Sequence, residues 1–264
     1  MVEQNEVKEY VRERYAERAR GAGGCCGGDS GSGSSALKLY SKEELDALPQ
    51  MAADISLGCG NPVALASLLP GETVLDLGSG GGIDCLLASK RVGPSGRVIG
   101  LDMTPEMIAL ARENAARMDA RNVEFRLGDM ERMPVADESV DVIISNCVIN
   151  LSPDKDAVLG EAYRVLKPGG RFCVSDIVML KELPEQIRRS LEQWAGCVAG
   201  ALSKDGYLGK LDKAGFTDVK LDFAPVPVGD FKEYAKEIGF DDAGWEDLAS
   251  AIASATIEAH KPEA

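Results

Sequence analysis

Histidine is almost missing from this sequence: His260, near the end, is the only one in 264 residues. A core without imidazole lacks the side chain that most often serves as a general base or metal ligand near neutral pH. No two cysteines are spaced C-x-x-C, so a zinc finger or ribbon has no support. Dense runs of lysine and arginine are also missing, and the formal charge is −14. A chain this acidic is a poor match for a phosphate backbone or an anionic membrane surface, so neither nucleic acid nor membrane is expected as a partner. No apolar run approaches the roughly 20 residues of a spanning helix. The opening "MVEQNEVKEYVRERYAERAR" reads as a charged helix without the apolar centre of a signal peptide, so the expected location is the cytoplasm.

Cysteine is present: Cys25, Cys26, Cys59, Cys85, Cys147, Cys173 and Cys197. Seven is an odd number and too sparse for a secreted disulfide scaffold, so some must be thiols. The length exceeds the usual domain of about 100 to 200 residues, which predicts one large α/β unit plus an appendage.

Val7, Tyr10, Val11 and Tyr15 recur at helical spacing ahead of "GAGGCCGGDSGSGSS". That stretch has few side chains that can pack, so Cys25 and Cys26 ride on a flexible loop. After Pro70 the elements alternate. Strands are predicted at 73–77, 97–101, 123–127, 140–145 and 171–177, with helices at 83–91, 105–118 and 153–166. Strand and helix in alternation mean a doubly wound, mostly parallel sheet. A helix from Pro184 to about Leu202, a helix ending at Gly215, a strand in "TDVKLDFA" and a helical appendage over 231–264 complete the prediction.

"TVLDLGSGGGID" joins the first strand to its helix, where glycines permit a sharp turn and let a ligand lie against the backbone. The dinucleotide spacing fails at Ile83, and no P-loop lysine is present. Asp102 ends the next strand, where a carboxylate can take both hydroxyls of a ribose, and Asp129 follows the third, within reach of an adenine amine. With the glycine loop these make three successive strand ends with matching polar groups; a helix or turn cap would explain any one of them about a third of the time, but hardly all three in order.

From "LDLGSGGGID" through "GLDMTPEMI", "GDMERMP", "VDVIISN" and "LKPGGRF", over about residues 70–180, the chain resembles the class I S-adenosylmethionine-dependent methyltransferases. The resemblance implies a Rossmann-like core. It also implies that Asp76, Gly78, Ser79 and Gly80 cradle the methionine part of the donor, Asp102 and Met103 hold ribose and adenine, and Asp129 and Met130 frame the adenine. Such a donor has no pyrophosphate and needs no cationic loop. Enzymes of this fold that methylate base amines carry Asn/Asp-Pro-Pro-aromatic at the end of the fourth strand. Here Asn146, counted with the donor site, is followed by Cys147, Val148 and Ile149.

Cys85 in "IDCLLASK" and Cys173 in "RFCVSDI" read as small core hydrophobes. So does the seam Ile187, Leu191, Trp194 and Val198. Cys59 in "SLGCGNP", Cys147 in "ISNCVIN" and Cys197 in "WAGCVAG" stand instead in loops or beside glycines. Alone, each is as well explained by packing; three thiols beside a methyl donor suggest a soft, thiol-seeking acceptor such as trivalent arsenic. The chain as a whole is similar to the arsenite S-adenosylmethionine methyltransferases, from the N-terminal helix to about Val228. The likeness implies methylation of arsenite and monomethylarsenite for detoxification, with Cys59, Cys147 and Cys197 as arsenic ligands and Cys25 and Cys26 assisting. It also implies a small-molecule substrate, arsenite or its thiol conjugates, and a thiol reductant such as thioredoxin or glutathione as co-substrate.

The domains expected are therefore four. Residues 1–69 hold the first helix, the cysteine loop and a substrate loop, and 70–180 the donor-binding core. Residues 181–230 carry an arsenic-binding helix and further sheet elements, and 231–264 the appendage. Two other readings share these motifs: a methyltransferase of another small acceptor, and a metalloid-binding protein without catalysis.

Overall fold

The computed structural model describes residues 4–21, 61–183, 197–224 and 249–263. Cys25, Cys26, Cys59 and the seam residues Ile187, Leu191 and Trp194 lie outside them. The described elements run α1 (Gln4–Ala19), α2 (Pro62–Leu65), β1 (Thr73–Leu77), α3 (Ile83–Val92), β2 (Arg97–Asp102), α4 (Pro105–Arg117), β3 (Val123–Leu127) and β4 (Val140–Asn146). After a 3-10 turn at Ile149–Leu151 come α5 (Lys155–Val165), β5 (Leu166–Met179), β6 (Leu202–Ser203), α6 (Lys204–Ala214), β7 (Thr217–Ala224) and β8 (Ile252–His260). No described helix is long and apolar enough to cross a membrane.

The sheet order is β3-β2-β1-β4-β5-β8-β7, with β6 beside β5. β1 pairs in parallel with β2 on one side and β4 on the other, so the winding reverses there and a crevice opens at the carboxyl ends of β1 and β4. Strands covered on both faces should be buried almost throughout, and β1 and β4 are. Alternation along β1 sends Leu75 and Leu77 into one core layer with Phe172 and Tyr207, and Val74 into the other with Cys85 and Leu86. Each fully buried leucine contributes about 1.5 to 3 kcal/mol.

The ends of the helices follow local chemistry. The helix expected from residue 153 begins at Lys155 because the Asp154 carboxylate accepts the N–H of Ala157 at 3.0 Å. α6 is capped by Ser203 and stops at Gly215, whose φ is +101°.

Two expectations are corrected. The stretch 231–264 was expected to be a helical appendage, yet its described part contributes β8, an interior strand antiparallel to both β5 and β7. "IASATIEAH" is rich in alanine, a good helix former. Nine register positions on β5 outweigh that propensity, because a sheet interior satisfies every backbone group of the segment. The helix expected to reach Leu202 also does not extend through Cys197: residues 197–200 form turns, Cys197 has φ +64°, and Leu202 already pairs with Val178.

Candidate active site

The turn after β1 is built by its glycines. Gly78 and Ser79 both donate to the Leu101 carbonyl, at 2.8 and 3.0 Å, pulling the loop onto the end of β2. Gly78 has φ +68°, and a Cβ there would lie 2.3 Å from the Val148 side chain. Gly80, at φ +50°, faces open space. The Asp102 carboxylate accepts the N–H of Gly80 at 2.9 Å and of Thr104 at 2.8 Å, so it is aimed by the loop and by the start of α4. Burial pushes the Asp102 carboxyl up, against the lowering by those N–H donors.

These elements line an open cleft. Gly78, Gly80, Asp102, Met103, Asp129 and Met130 all line it. Asp76, Ser79 and Asn146 are close by but do not wall it. Asp76 is buried, accepts the Cys85 thiol at 3.2 Å, and has its carboxyl held well above the usual range by burial and by Asp84. The Asn146 amide lies 3.4 Å from the Asp84 carboxylate, and Ser79 Oγ is buried without a hydrogen-bond partner.

Sequence reasoning missed the opposite wall. Lys8, Val11 and Tyr15 of α1 line the cleft, together with Thr104, Glu131, Val148, Leu151 and Ser152. Lys8 Nζ sits 2.9 Å from Glu131 and 3.3 Å from Asp129, and Glu131 also accepts the Ser152 hydroxyl at 2.7 Å. The signal was present in α1, whose apolar Val7 and Val11 had to be covered by something.

The thiols divide by environment. Cys85 and Cys173 are at most 1% exposed. Burial pushes Cys173 up to about 12 and Cys85 well above its ordinary value, with Asp76 adding to the latter, so neither offers a thiolate at neutral pH. Cys147 and Cys197 share one apolar cluster with Val7 and Val11 of α1, Leu151 and Ile177, at the end of the sheet where the cleft lies. Cys147 directly follows β4 with its N–H bonded to the Ser175 carbonyl at 2.8 Å, and the Cys197 thiol donates to the Cys147 carbonyl. Both have left-handed backbone, φ +60° and +64°, a conformation that costs a non-glycine residue about 1 to 2 kcal/mol. Cys147 is disulfide-bonded, whereas Cys85, Cys173 and Cys197 are reduced. Among the described residues no three His, Cys, Asp or Glu side chains gather as a metal site.

A switch-point cleft with a glycine loop at one strand end and an aimed aspartate at the next is an arrangement that S-adenosylmethionine-dependent methyltransferases share with other nucleoside-binding α/β folds, and the family match selects the methyltransferases. Residues 68–215 match the family model described as a methyltransferase domain. The residues fit that donor: an open glycine at Gly80, an orphaned buried hydroxyl at Ser79 and an aimed carboxylate at Asp102. Over 97% of its length the chain is 48% identical to the arsenite methyltransferase of Halobacterium salinarum, of which it covers 67%. The human arsenite methyltransferase is 38% identical over 74% of the chain and 54% of that protein. An arsenic(III) S-adenosylmethionine methyltransferase from Chlamydomonas reinhardtii superposes with a TM-score of 0.62 at 33% identity, over 89% of this chain and 75% of that one. The chain belongs to the arsenite methyltransferase family, and spans about two thirds of the archaeal relative and about half of the human one.

Two outcomes test the division of residues. Asp102→Ala removes a charge-assisted acceptor and is expected to weaken S-adenosylmethionine binding by about 1 to 3 kcal/mol. Calorimetric titration with unchanged affinity would show the assignment to be wrong. Cys173→Ala is expected to cost about 1 kcal/mol of stability, seen as a lower melting temperature, with methylation intact. Loss of turnover in a folded Cys173→Ala protein contradicts its placement in the core.

Proposed function

We propose that the protein transfers methyl groups from S-adenosylmethionine to trivalent arsenic, taking arsenite and then monomethylarsenite, with Cys59, Cys147 and Cys197 as the arsenic ligands. The observation that carries this reading is the meeting of Cys147 and Cys197, each on left-handed backbone, in one buried cluster with Val11 and Leu151, which wall the cleft. Thiols prefer soft ions, and strained residues that persist at a cleft point to use.

Each S–H proton passes to an arsenite hydroxide, three waters leave, and three As–S bonds form. When bound, the donor supplies a methyl group on a sulfonium, which departs as a neutral thioether. The cysteines hold arsenic so that its lone pair faces that methyl. Because the attacking atom carries a lone pair rather than a proton, no general base is needed, in keeping with a core that lacks histidine. The β1 loop and Asp102 orient the donor, and α1 closes the cleft against water, so positioning is the main catalytic contribution.

Methyl transfer leaves arsenic pentavalent. Two thiols oxidised to one disulfide return the two electrons, and Cys25 and Cys26 are suited to take part. A thioredoxin- or glutathione-type reductant then reopens the disulfide and is itself oxidised. The disulfide at Cys147 supports this requirement, since its sulfur must be reduced before it can bind arsenic. A reducing compartment, the cytoplasm, suits such chemistry, and detoxification of arsenic is the role it serves.

The test is the mass of the arsenic product after incubation with arsenite, a thiol and S-adenosylmethionine. Methylated arsenic is expected. Donor binding without arsenic methylation would point to another small acceptor, and arsenite binding without donor binding to a protein that only sequesters the metalloid.

A further inference from the structure

We propose that Asn150 is a positioning residue that sets the spacing of the two acceptor thiols; the inference rests on the reading of Cys147 and Cys197 as arsenic ligands. Asn150 is fully buried, three residues beyond Cys147 on the 3-10 turn. Its amide Nδ2 donates to two carbonyls from separate parts of the chain, Ile177 on β5 at 2.7 Å and Cys197 at 3.3 Å. One NH₂ group therefore ties the Cys197 turn to the strand that also receives the Cys147 N–H, through Ser175. Both cysteines are thus referenced to the same stretch of β5.

The turn that carries the amide is anchored, while the amide oxygen is buried without a hydrogen-bond partner. The buried Lys155 ammonium donates to the Asn150 carbonyl at 3.2 Å and the Ser152 carbonyl at 2.7 Å, holding the turn on which Asn150 stands. No apolar residue could replace the amide without leaving two buried carbonyls short of a donor, and no carboxylate could donate to either. Cys197 keeps its left-handed φ only while the surroundings hold it there, and the Asn150 bond to its carbonyl is one of the contacts that do so, beside the bond of its thiol to the Cys147 carbonyl. An arsenical that must join two sulfurs at once gains from a preset spacing; a reagent that takes one sulfur does not.

The distinction gives the experiment. In full-length protein carrying Cys25→Ser, Cys26→Ser and Cys59→Ser, reduced with a phosphine, phenylarsine oxide binds through Cys147 and Cys197 and its affinity is read by calorimetry. Adding Asn150→Ala is expected to weaken that binding by roughly 10- to 100-fold. The alkylation of Cys147 and Cys197 by iodoacetamide, followed by peptide mass, is expected to stay within about twofold, with S-adenosylmethionine affinity unchanged. Asn150→Ser, which keeps a shorter donor, is expected to fall between, and provides the measure where the alanine variant does not fold.

Adding Cys147→Ser instead should abolish phenylarsine oxide binding; if it does not, the reading of the ligands fails, and the role of Asn150 with it. If Cys147→Ser abolishes binding while the Asn150 variants keep the parental affinity, the ligand reading stands and the role of Asn150 is overturned. Equal falls in arsenical affinity and single-thiol alkylation also overturn it, because they mark a general loosening of the fold.

Discussion

Cys147→Ser abolishes methylation of both arsenite and monomethylarsenite while S-adenosylmethionine binds as before; that is the largest effect expected of any single change. Serine keeps the Cβ on the backbone at φ +60°, so in an assay that also reduces the Cys147 disulfide of the parent, the variant removes the soft ligand and little else. Misplacement of a reacting centre by about 1 Å can cost 10²-fold, and loss of the ligand that follows β4 is expected to cost at least that. Valence then separates the three thiols. Arsenite has three exchangeable oxygens and engages all of them, whereas monomethylarsenite has one position filled by carbon and uses two. Among the described residues, Cys147 and Cys197 meet in one apolar cluster beside the cleft. Cys59 precedes the sheet in the chain, whereas Cys147 follows β4, and is therefore expected to be the dispensable one: Cys59→Ser is expected to fail on arsenite yet methylate monomethylarsenite, while Cys197→Ser fails on both. Separation of the products with elemental detection, for three variants on two substrates, reads the outcome. A Cys147→Ser enzyme that methylates arsenite at the parental rate sinks the mechanism.

Gly78→Ala is expected to lower both stability and donor affinity, and Val148→Ala to restore part of the loss. The new Cβ would stand 2.3 Å from Val148 Cγ1, far inside contact distance, and on a backbone with φ +68°. The left-handed conformation costs about 1 to 2 kcal/mol and the overpacking about 1 to 3 more. Gly80→Ala isolates the first cost, since its Cβ meets nothing within 4 Å. Melting temperatures and donor titrations of Gly78→Ala, Gly80→Ala and the Gly78→Ala/Val148→Ala double variant separate the two contributions. Equal losses at the two glycines, or no recovery in the double variant, would remove the proposed contact between the β1 loop and the residue after Cys147. That contact matters because it is where the donor loop meets the acceptor loop.

Much of the sheet was legible because its signals are local. The strand-length segments read at 73–77 and 123–127 coincide with β1 and β3, and the glycine loop announces its own turn by composition. Asp102 and Asp129 stand at the ends of successive strands, so once the strands are known they arrive on one side of the sheet. Cys85 and Cys173 betrayed themselves by lying inside an apolar helix and an apolar strand; the structure adds only that the Cys85 thiol bonds to Asp76.

Other features depend on residues far apart in the chain, and no local pattern contains them. β8 is alanine-rich and locally helical in preference; only pairing with β5 on one side and β7 on the other makes it a strand. α1 shows an apolar stripe, but its role as a wall of the donor cleft depends on Lys8 finding Glu131 across 123 residues. Cys147 and Cys197 are marked by type and by neighbouring glycines, whereas their approach across 50 residues and their shared left-handed backbone come from contacts with β5. The sequence by itself thus determined the α/β class, the donor loop and the supply of thiols, because each is written in neighbouring residues. Tertiary structure alone decided that Cys147 and Cys197 meet and that α1 walls the cleft, because both are set by long-range packing that local propensity does not encode.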